Sequence, residues 1–201
     1  MEDNSLPLPF VFPYAVPFWL TFIWAFAPEY RIVHRSRQHV RQPGSRDAGS
    51  LQLILFGMSI ASIAAFPLAW VPALRVPDKL ELAAFLMGVA VLLSGSLLRR
   101  HCWRVLGAYF TGDVVAAADQ PVIDRGAYAY LRHPAYTAGT LMNIGIGLAL
   151  GSWGSMLLLA VTSVAVYLYR IRIEERVLLA TIGEPYRQYI ATRKRLVPFV
   201  Y

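Results

Sequence analysis

The stretch GAYAYLRHPAYTAGTLMNIG, residues 126–145, leads from a polar cluster directly into an apolar run. Arg132, His133 and Pro134 stand between tyrosines, and the 33 residues from Thr137 onward carry no charge. The residue before a proline is disfavoured in the helical conformation, whereas proline itself suits the first turn of a helix. We therefore predict that a helix begins at Pro134, with His133 beside the N–H groups of its positive end, which attract an anion.

The composition of the whole chain is that of a membrane protein. Of its 201 residues, 57% are hydrophobic and only 15% are charged, and the mean hydropathy is +0.47. Such a balance is too apolar for an ordinary soluble domain. The net charge of +7 comes from basic residues that punctuate apolar runs. It therefore indicates membrane topology, and no nucleic-acid partner is expected.

Four long apolar runs set the predicted architecture. The first three, residues 10–27, 51–74 and 80–98, each approach the ~20 residues that a membrane helix needs. The fourth, 137–169, is too long for one span, and the sequence GSWGS at 151–155 is a natural turn within it. We predict an all-α membrane protein of about five transmembrane helices, the last two forming a tight helical hairpin.

The distribution of Lys and Arg predicts the orientation. Seventeen of the 19 basic residues fall in three segments, 29–50, 99–133 and the tail from residue 170, whereas the loop at 75–79 holds only two. Because basic residues favour the cytoplasmic side, the N-terminus is predicted outside and the C-terminus inside. The polar residues after residue 99 then face the cytoplasm, so we divide the chain into N-terminal helices (1–98) and a C-terminal core (99–201).

Two charged residues where the fifth span emerges are candidates for function. Arg170 and Glu174 are four apart and share one helical face. A carboxylate at the membrane boundary is a functional candidate by default, whereas Arg172 and Arg176 are better explained as a solvated surface.

The lone side-chain amide of the apolar run after Thr137, Asn143, is interpreted as an interhelical hydrogen-bond residue. The glycines of the same run, Gly145, Gly147 and Gly151, are expected to permit close helix packing. The sequence holds no GxGxxG fingerprint, phosphate-binding loop or Cys/His cluster with metal-ligand spacing. A soluble dinucleotide-binding domain is thus excluded, and no metal is predicted.

Taken in order, GAYFTGDV, GAYAYLRHPAYTAG, EERVLL, GEPYRQY and RLVPF make the chain resemble the isoprenylcysteine carboxyl methyltransferase family of integral-membrane methyltransferases. The resemblance covers roughly residues 99–199. It implies methyl transfer from S-adenosylmethionine, with the cofactor in a cytosol-facing pocket built from the C-terminal half.

Site residues are implied by position within these motifs. The stretch around residue 120 would line the cofactor through its backbone, and the GAY turn would contact it. The RHPAY motif would form the opposite wall, and a glutamate would close the pocket. In chain order these residues are Gln120, Pro121, Val122, Ile123, Tyr128, His133, Pro134, Ala135, Tyr136 and Glu174. Arg170 would face the substrate. The family often has a histidine where Gln120 stands, which is a departure of this sequence.

The residue types suit this chemistry. Aromatic rings at Tyr128 and Tyr136 can flank a sulfonium cation, and an in-line methyl transfer depends chiefly on positioning and desolvation. If the acceptor is a carboxylate it is already ionised, and Arg170 would bind and orient it. If the acceptor is an amine, a proton must leave and Glu174 becomes the candidate base. Arg170 and Glu174 are therefore the predicted catalytic residues.

Alternatives remain open at this point. The acceptor is a lipophilic molecule from the bilayer, either a prenylated cysteine or a lipid, so a phospholipid or other lipid N-methyltransferase is the first alternative. A membrane reductase that uses NADPH shares the RHPxY string and is the second. A membrane scaffold without activity is the third.

Overall fold

The structure, a computed structural model, describes residues 6–39, 49–110 and 120–196. This part of the chain is all-helical, as predicted, and contains no named strand. Its α-helices are α1 (Ala15–His39), α2 (Ser50–Leu68), α3 (Asp78–Leu106), α4 (Pro134–Ala149), α5 (Trp153–Thr181) and α6 (Glu184–Thr192). Short 3₁₀ helices lie at Leu8–Phe10, Pro72–Leu74, Gly107–Tyr109 and Gly126–Ala129.

Three of these helices, α2, α3 and α5, are long and apolar enough to cross a membrane. The protein is therefore a multi-pass integral membrane protein. Helix α4 has only 16 residues, which at ~1.5 Å per residue gives a length of about 24 Å, shorter than the ~30 Å hydrocarbon core of a typical bilayer.

The helix boundaries differ from the predicted spans where prolines intervene. Helix α1 begins at Ala15 rather than at residue 10, after the proline-rich segment that forms the first 3₁₀ helix. Helix α2 ends at Leu68 rather than at residue 74, because Pro72 begins a separate 3₁₀ helix. Helix α3 continues without a break through residues 98 and 99 to Leu106, so the division predicted there falls inside a helix.

The predicted hairpin is formed by α4 and α5. The turn between them has Gly151 at φ +65°, and the Ser152 hydroxyl caps α5 by accepting the N–H of Ser155 at 3.1 Å. Gly147 packs against the backbone of Met156 across the hairpin. Gly147 thus packs closely, as predicted, whereas Gly151 serves the turn through its positive φ, which only glycine adopts without strain.

Close packing of α3 against α4 fixes the middle of the bundle. Gly88 of α3 lies against the backbone of Ala149, and a Cβ on Gly145 of α4 would lie 2.5 Å from the Leu92 nitrogen. The prediction for Gly145 is confirmed, since small residues allow membrane helices to approach each other closely.

The bundle has two ends of different character. At one end the Arg75–Glu81 ion pair (2.8 Å) lies beside the hairpin turn, where the Val76 N–H donates to the Gly151 carbonyl. At the other end lie the last turns of α3 and α5 and the first turns of α2 and α4. The residues predicted to be functional are brought together at this second end.

Candidate active site

A cavity of about 590 Å³ lies at this end of the bundle, within the size range of small-molecule sites. One wall is largely apolar and comes from α2, through Leu51, Ile54, Leu55, Met58 and Ile63. The opposite wall is polar and comes from the segment at 120–123, the first turn of α4 and the far end of α5. Ile63 is 73% exposed, so the cavity reaches the outer flank of the bundle, which faces lipid in a membrane.

The predicted site residues lie together in this cavity with one exception. Those that line it are Gln120, Pro121, Val122, Ile123, Tyr128, His133, Ala135, Tyr136, Arg170 and Glu174. Pro134 does not line it, because Pro134 is fully buried as the first residue of α4. Pro134 initiates α4 and lies behind the polar wall of the cavity.

The segment at 120–123 presents main-chain polar groups to the cavity. It has no regular secondary structure, and neither Val122 nor Ile123 makes a main-chain hydrogen bond within the described part of the chain. Main-chain groups are normally paired with protein or with water, so we expect those of Val122 and Ile123 to pair with water or with a ligand.

The start of α4 is held by the C-terminal segment. The N–H groups of Arg132 and His133 donate to the carbonyls of Lys194 and Arg195 at 2.8 and 3.1 Å. The predicted helix start at Pro134, with His133 in a non-helical conformation (φ −128°, ψ 55°), is confirmed. The start of α4, which forms part of the polar wall, is thus bonded to a segment that lies far along the chain.

His133 is only 4% exposed and its imidazole lies between two carboxylates. Nε2 is 3.3 Å from an oxygen of Glu175, and Nδ1 is 3.9 Å from an oxygen of Glu174. Negative charge at this helix start is therefore supplied by the protein itself. His133 lines the cavity as a buried and well-anchored residue.

Tyr136 connects the two predicted catalytic residues. Its hydroxyl donates to a carboxylate oxygen of Glu174 at 2.6 Å and accepts from Nε of Arg170 at 3.3 Å. Arg170 is 3% exposed and also donates from Nη1 to the Ser50 hydroxyl at 2.6 Å. Glu174 retains 30% side-chain exposure. Arg170 is thus held rigidly in the cavity wall, whereas Glu174 is accessible to a ligand.

Glu175 is a buried residue to which the sequence patterns assigned no role. Its carboxylate binds Arg132 at 3.1 Å, His133 at 3.3 Å and Arg195 at 3.1 Å. The clue in the sequence is that Glu175 is one of few acidic residues in a core rich in arginine. The pairing could not be found from helical spacing, because all three partners lie outside α5.

Glu29 and Arg99 form a second ion pair that sequence reasoning missed. Arg99 donates from Nε and Nη2 to the Glu29 carboxylate, and from Nη1 to the Ala135 carbonyl at 2.9 Å. Both residues line the cavity. The first span carried no diagnostic motif, so nothing in the sequence placed Glu29 near the core.

Asn143 does not bond to another helix as predicted. Its side-chain nitrogen donates to the Gly139 carbonyl of its own helix at 2.8 Å, and the residue lines the cavity. The prediction was wrong because the amide nitrogen of Asn143 is already satisfied by a carbonyl of its own helix.

Three buried tyrosines at the polar wall remain protonated. Burial raises the pKa of Tyr189 to about 12, and it raises the pKa values of Tyr128 and Tyr186 further above their usual range. The Tyr189 hydroxyl lies near the carbonyls of Tyr128 and Leu131, at 2.9 and 3.1 Å. These side chains therefore offer neutral aromatic surface at physiological pH.

The bundle is that of a membrane protein with a small-molecule site. The cavity of this site joins a charged wall to an apolar flank. A family model described as phospholipid methyltransferase matches residues 83–184, half of the chain. The protein belongs to this family of membrane methyltransferases.

Individual relatives support the resemblance seen in the motifs. The chain is 31% identical over 97 residues to the protein-S-isoprenylcysteine O-methyltransferase of Schizosaccharomyces pombe, covering 47% of this chain and 41% of that protein. It is 24% identical over 164 residues to the uncharacterized protein YpbQ of Bacillus subtilis, covering 80% of this chain and 96% of that one.

Among solved structures, the eukaryotic intramembrane Ras methyltransferase ICMT, an isoprenylcysteine carboxyl methyltransferase, matches with a TM-score of 0.62 and 26% identity. The match covers 71% of this chain and 52% of that one. The chain thus spans about half or less of the two isoprenylcysteine methyltransferases described here. These likenesses bear out the resemblance to isoprenylcysteine carboxyl methyltransferases that the motifs indicated.

Proposed function

We propose that this protein transfers a methyl group from S-adenosylmethionine to the carboxylate of a lipophilic acceptor, as an isoprenylcysteine carboxyl methyltransferase-like enzyme. The observation that carries the proposal is the cavity itself, which joins a polar wall suited to a soluble cofactor with an apolar wall open to the bilayer. Arg170 and Glu174 lie where these two walls meet.

The residues of the polar wall fit the cofactor. Its adenine and ribose would bind the main-chain groups of Val122 and Ile123, and its amine would bind the accessible Glu174 carboxylate. Tyr128, Tyr136 and Tyr186 offer aromatic faces that attract a sulfonium cation. When bound, the cofactor supplies an electrophilic methyl group attached to sulfur.

The role of the protein is to bind, orient and desolvate. Arg170 is fixed by Ser50 and Tyr136, so its guanidinium would hold an acceptor carboxylate without having to reorganise. The carboxylate attacks through an oxygen that already carries charge, so no proton has to be removed. Exclusion of water by the apolar wall strengthens both contacts.

Carboxyl methylation is favoured over methylation of a lipid amine by the surroundings of Glu174. An amine acceptor needs a base to remove its proton, yet the Glu174 carboxylate already accepts the Tyr136 hydroxyl at 2.6 Å. A carboxylate acceptor needs no such base, and the cavity wall provides the Arg170 guanidinium to bind it. Use of NADPH by a reductase has no such supporting observation.

We also propose that α1 and α4 complete a five-span topology with the cavity facing the cytoplasm. The cavity lies at the arginine-rich end of the bundle, where the Arg99 and Arg170 side chains are bound. The other end carries Arg75 and Lys79 as its basic residues in the described loop. The rule that basic residues face the cytoplasm supports this orientation, with the N-terminus outside.

The proposal is tested with the purified protein in lipid nanodiscs. We expect S-adenosylhomocysteine, but not NADPH, to raise the thermal unfolding midpoint, because only a ligand that binds the folded state stabilises it. Radiolabelled methyl groups should appear on a lipophilic carboxylate and not on the matched methyl ester or amine. Stabilisation by NADPH alone, or preferential labelling of the amine, would contradict the proposal.

A further inference from the structure

A polar side chain lines the inner part of the cavity. Asn143 is only 6% exposed and lines the cavity. Because a carbonyl can only accept, the amide nitrogen must face the Gly139 carbonyl and the amide oxygen must point elsewhere. Within the described part of the chain this oxygen has no hydrogen-bond partner.

The amide oxygen retains contact with the cavity space. Among the described residues, only Nε of Arg100 is a fully buried side-chain polar atom without a partner. The Asn143 oxygen therefore keeps accessible surface, and the cavity is the space that this side chain lines. It is an acceptor aimed at whatever occupies the cavity.

Further hydroxyl groups lie around the same part of the cavity. The Tyr167 hydroxyl packs against Gly139, one helical turn before Asn143, and lines the cavity. Ser59 and Ser62 line it from α2. These polar groups come from three different helices, so they are not the product of one amphipathic pattern.

The axial distances of Asn143 and Ser59 from Arg170 follow from their positions along α4 and α2. Tyr136, which binds Arg170, precedes Asn143 by seven residues, or roughly 10 Å along α4 at 1.5 Å per residue. Ser50, which also binds Arg170, precedes Ser59 by nine residues, or roughly 14 Å along α2. Asn143 and Ser59 therefore lie at a similar axial distance from the proposed reaction centre, whereas Tyr167, which precedes Arg170 by one turn of α5, lies closer to it.

We propose that the methyl acceptor is an amphiphile whose tail carries a hydrogen-bond donor, a hydroxyl or an amide N–H, roughly 10 Å from the methylated carboxylate. This inference rests on the proposed function and deepens it. An all-hydrocarbon tail would leave the Asn143 oxygen desolvated without a partner, which is unfavourable. A donor at that position satisfies it, so Asn143 is a specificity-determining residue.

The test compares two synthetic carboxylates of equal length in nanodiscs. One has a saturated hydrocarbon tail, and the other carries a secondary amide at the carbon roughly 10 Å from the carboxylate. Binding is measured by thermal unfolding without cofactor, and KM is measured by methyl transfer. We expect the amide compound to bind the native protein roughly 2- to 12-fold more tightly, the range for one hydrogen bond.

Asn143→Leu should abolish this preference, and Asn143→Ser, a smaller change to a polar residue, provides a second variant. Thr140→Val is the matched control, since Thr140 lies on the same helix, bonds to the Tyr136 carbonyl at 3.0 Å and does not line the cavity. It should retain the preference of the native protein.

Equal binding of the two compounds by the native protein would overturn the inference, as would binding of neither. A preference that survives in Asn143→Leu would also overturn it, because water rather than Asn143 would then be the partner of the tail. Failure of the proposed function looks different. It would appear as no stabilisation by S-adenosylhomocysteine, whereas the binding comparison does not depend on the cofactor.

Discussion

Arg170 and Glu174 share the Tyr136 hydroxyl, yet they are expected to act at different stages. Arg170→Ala should depress methyl transfer while cofactor affinity stays nearly intact, because Arg170 faces the acceptor in the proposed mechanism. Glu174→Ala should weaken cofactor binding roughly 10- to 150-fold, which corresponds to a charged hydrogen bond of about 1.5–3 kcal/mol. Calorimetry with S-adenosylhomocysteine and transfer assays measure the two effects separately.

The Arg170→Lys variant keeps the positive charge at this position but removes the planar guanidinium group. A single ammonium cannot reproduce two parallel hydrogen bonds to a carboxylate, so this variant should also transfer methyl groups poorly. Equal loss of cofactor affinity in the two alanine variants would show that Arg170 and Glu174 are only an interfacial ion pair.

Glu175 is expected to matter for stability. In Glu175→Ala the partly buried Arg132 and the buried His133 would lose their common partner, and removing one partner of a buried ion pair typically costs about 3–5 kcal/mol. Thermal or denaturant unfolding in detergent should show this loss. The control is Glu184→Ala, whose carboxylate is 66% exposed and pairs with the exposed Arg187. An exposed pair contributes at most about 1 kcal/mol, so similar losses in both variants would contradict the buried role.

The sequence predicted the site best where a motif imposes local backbone geometry. His133 and Pro134 fixed the start of α4, because proline restricts both its own conformation and that of its predecessor. The spacing of Arg170 and Glu174 placed them on one face. Glu175 was missed because helical spacing says which residues share a face but not how deeply that face is buried.

At the scale of helices, glycines determine how closely α3 and α4 approach. In Gly145→Ala the new methyl group would lie 2.5 Å from the Leu92 nitrogen, and a backbone atom cannot move aside as a side-chain tip can. We expect destabilisation of about 1–3 kcal/mol, the usual range for overpacking. A fall in the unfolding midpoint in detergent measures it.

Gly57→Ala is the matched control for the glycine experiment. Its Cβ would lie 3.3 Å from a methyl group of Val166, a side-chain atom on α5. This contact can relax, and alanine favours a helix more than glycine does. Gly57→Ala should therefore be neutral or stabilising. A large loss there, or none in Gly145→Ala, would show that backbone contact is not what sets the spacing of the helices.

Helix existence was predictable from apolar runs, whereas helix ends were not. The run at 51–74 continues apolar through Pro72, so hydropathy alone could not show that α2 ends at Leu68. Similarly, α3 extends to Leu106 although its last turns contain Arg99 and Arg104. Polar residues do not end a helix that emerges from the membrane. Only caps, prolines and tertiary contacts do.

At the scale of the whole molecule, the proposed orientation can be tested by labelling. Cys102 is the only cysteine and is buried, so Cys102→Ser provides a cysteine-free background. In it, Trp153→Cys and Arg187→Cys introduce thiols at two exposed positions, one in the first turn of α5 and one on α6. An impermeant maleimide added outside intact cells should label the first variant and spare the second.

Labelling of both positions from outside, or of Arg187→Cys alone, would contradict the cytoplasmic cavity.

The contributions of α1 and α2 to that cavity were not predictable from the sequence. Glu29 lines it, and Ser50 binds Arg170 in its wall, only because the bundle brings the middle of α1 and the start of α2 next to the motif-bearing core. Such neighbours across the fold leave no local pattern in a single sequence.

The pairing of the C-terminal segment with the start of α4 has a consequence for biosynthesis. A ribosome releases the chain from its N-terminal end, so α4 and α5 can enter the membrane before the segment that secures them has been made. The main-chain bonds from Arg132 and His133 to Lys194 and Arg195 can form only once nearly the whole described chain has emerged. Cofactor affinity would thus be acquired only after this segment has been made, and a nascent chain stalled before residue 194 would be inserted but inactive.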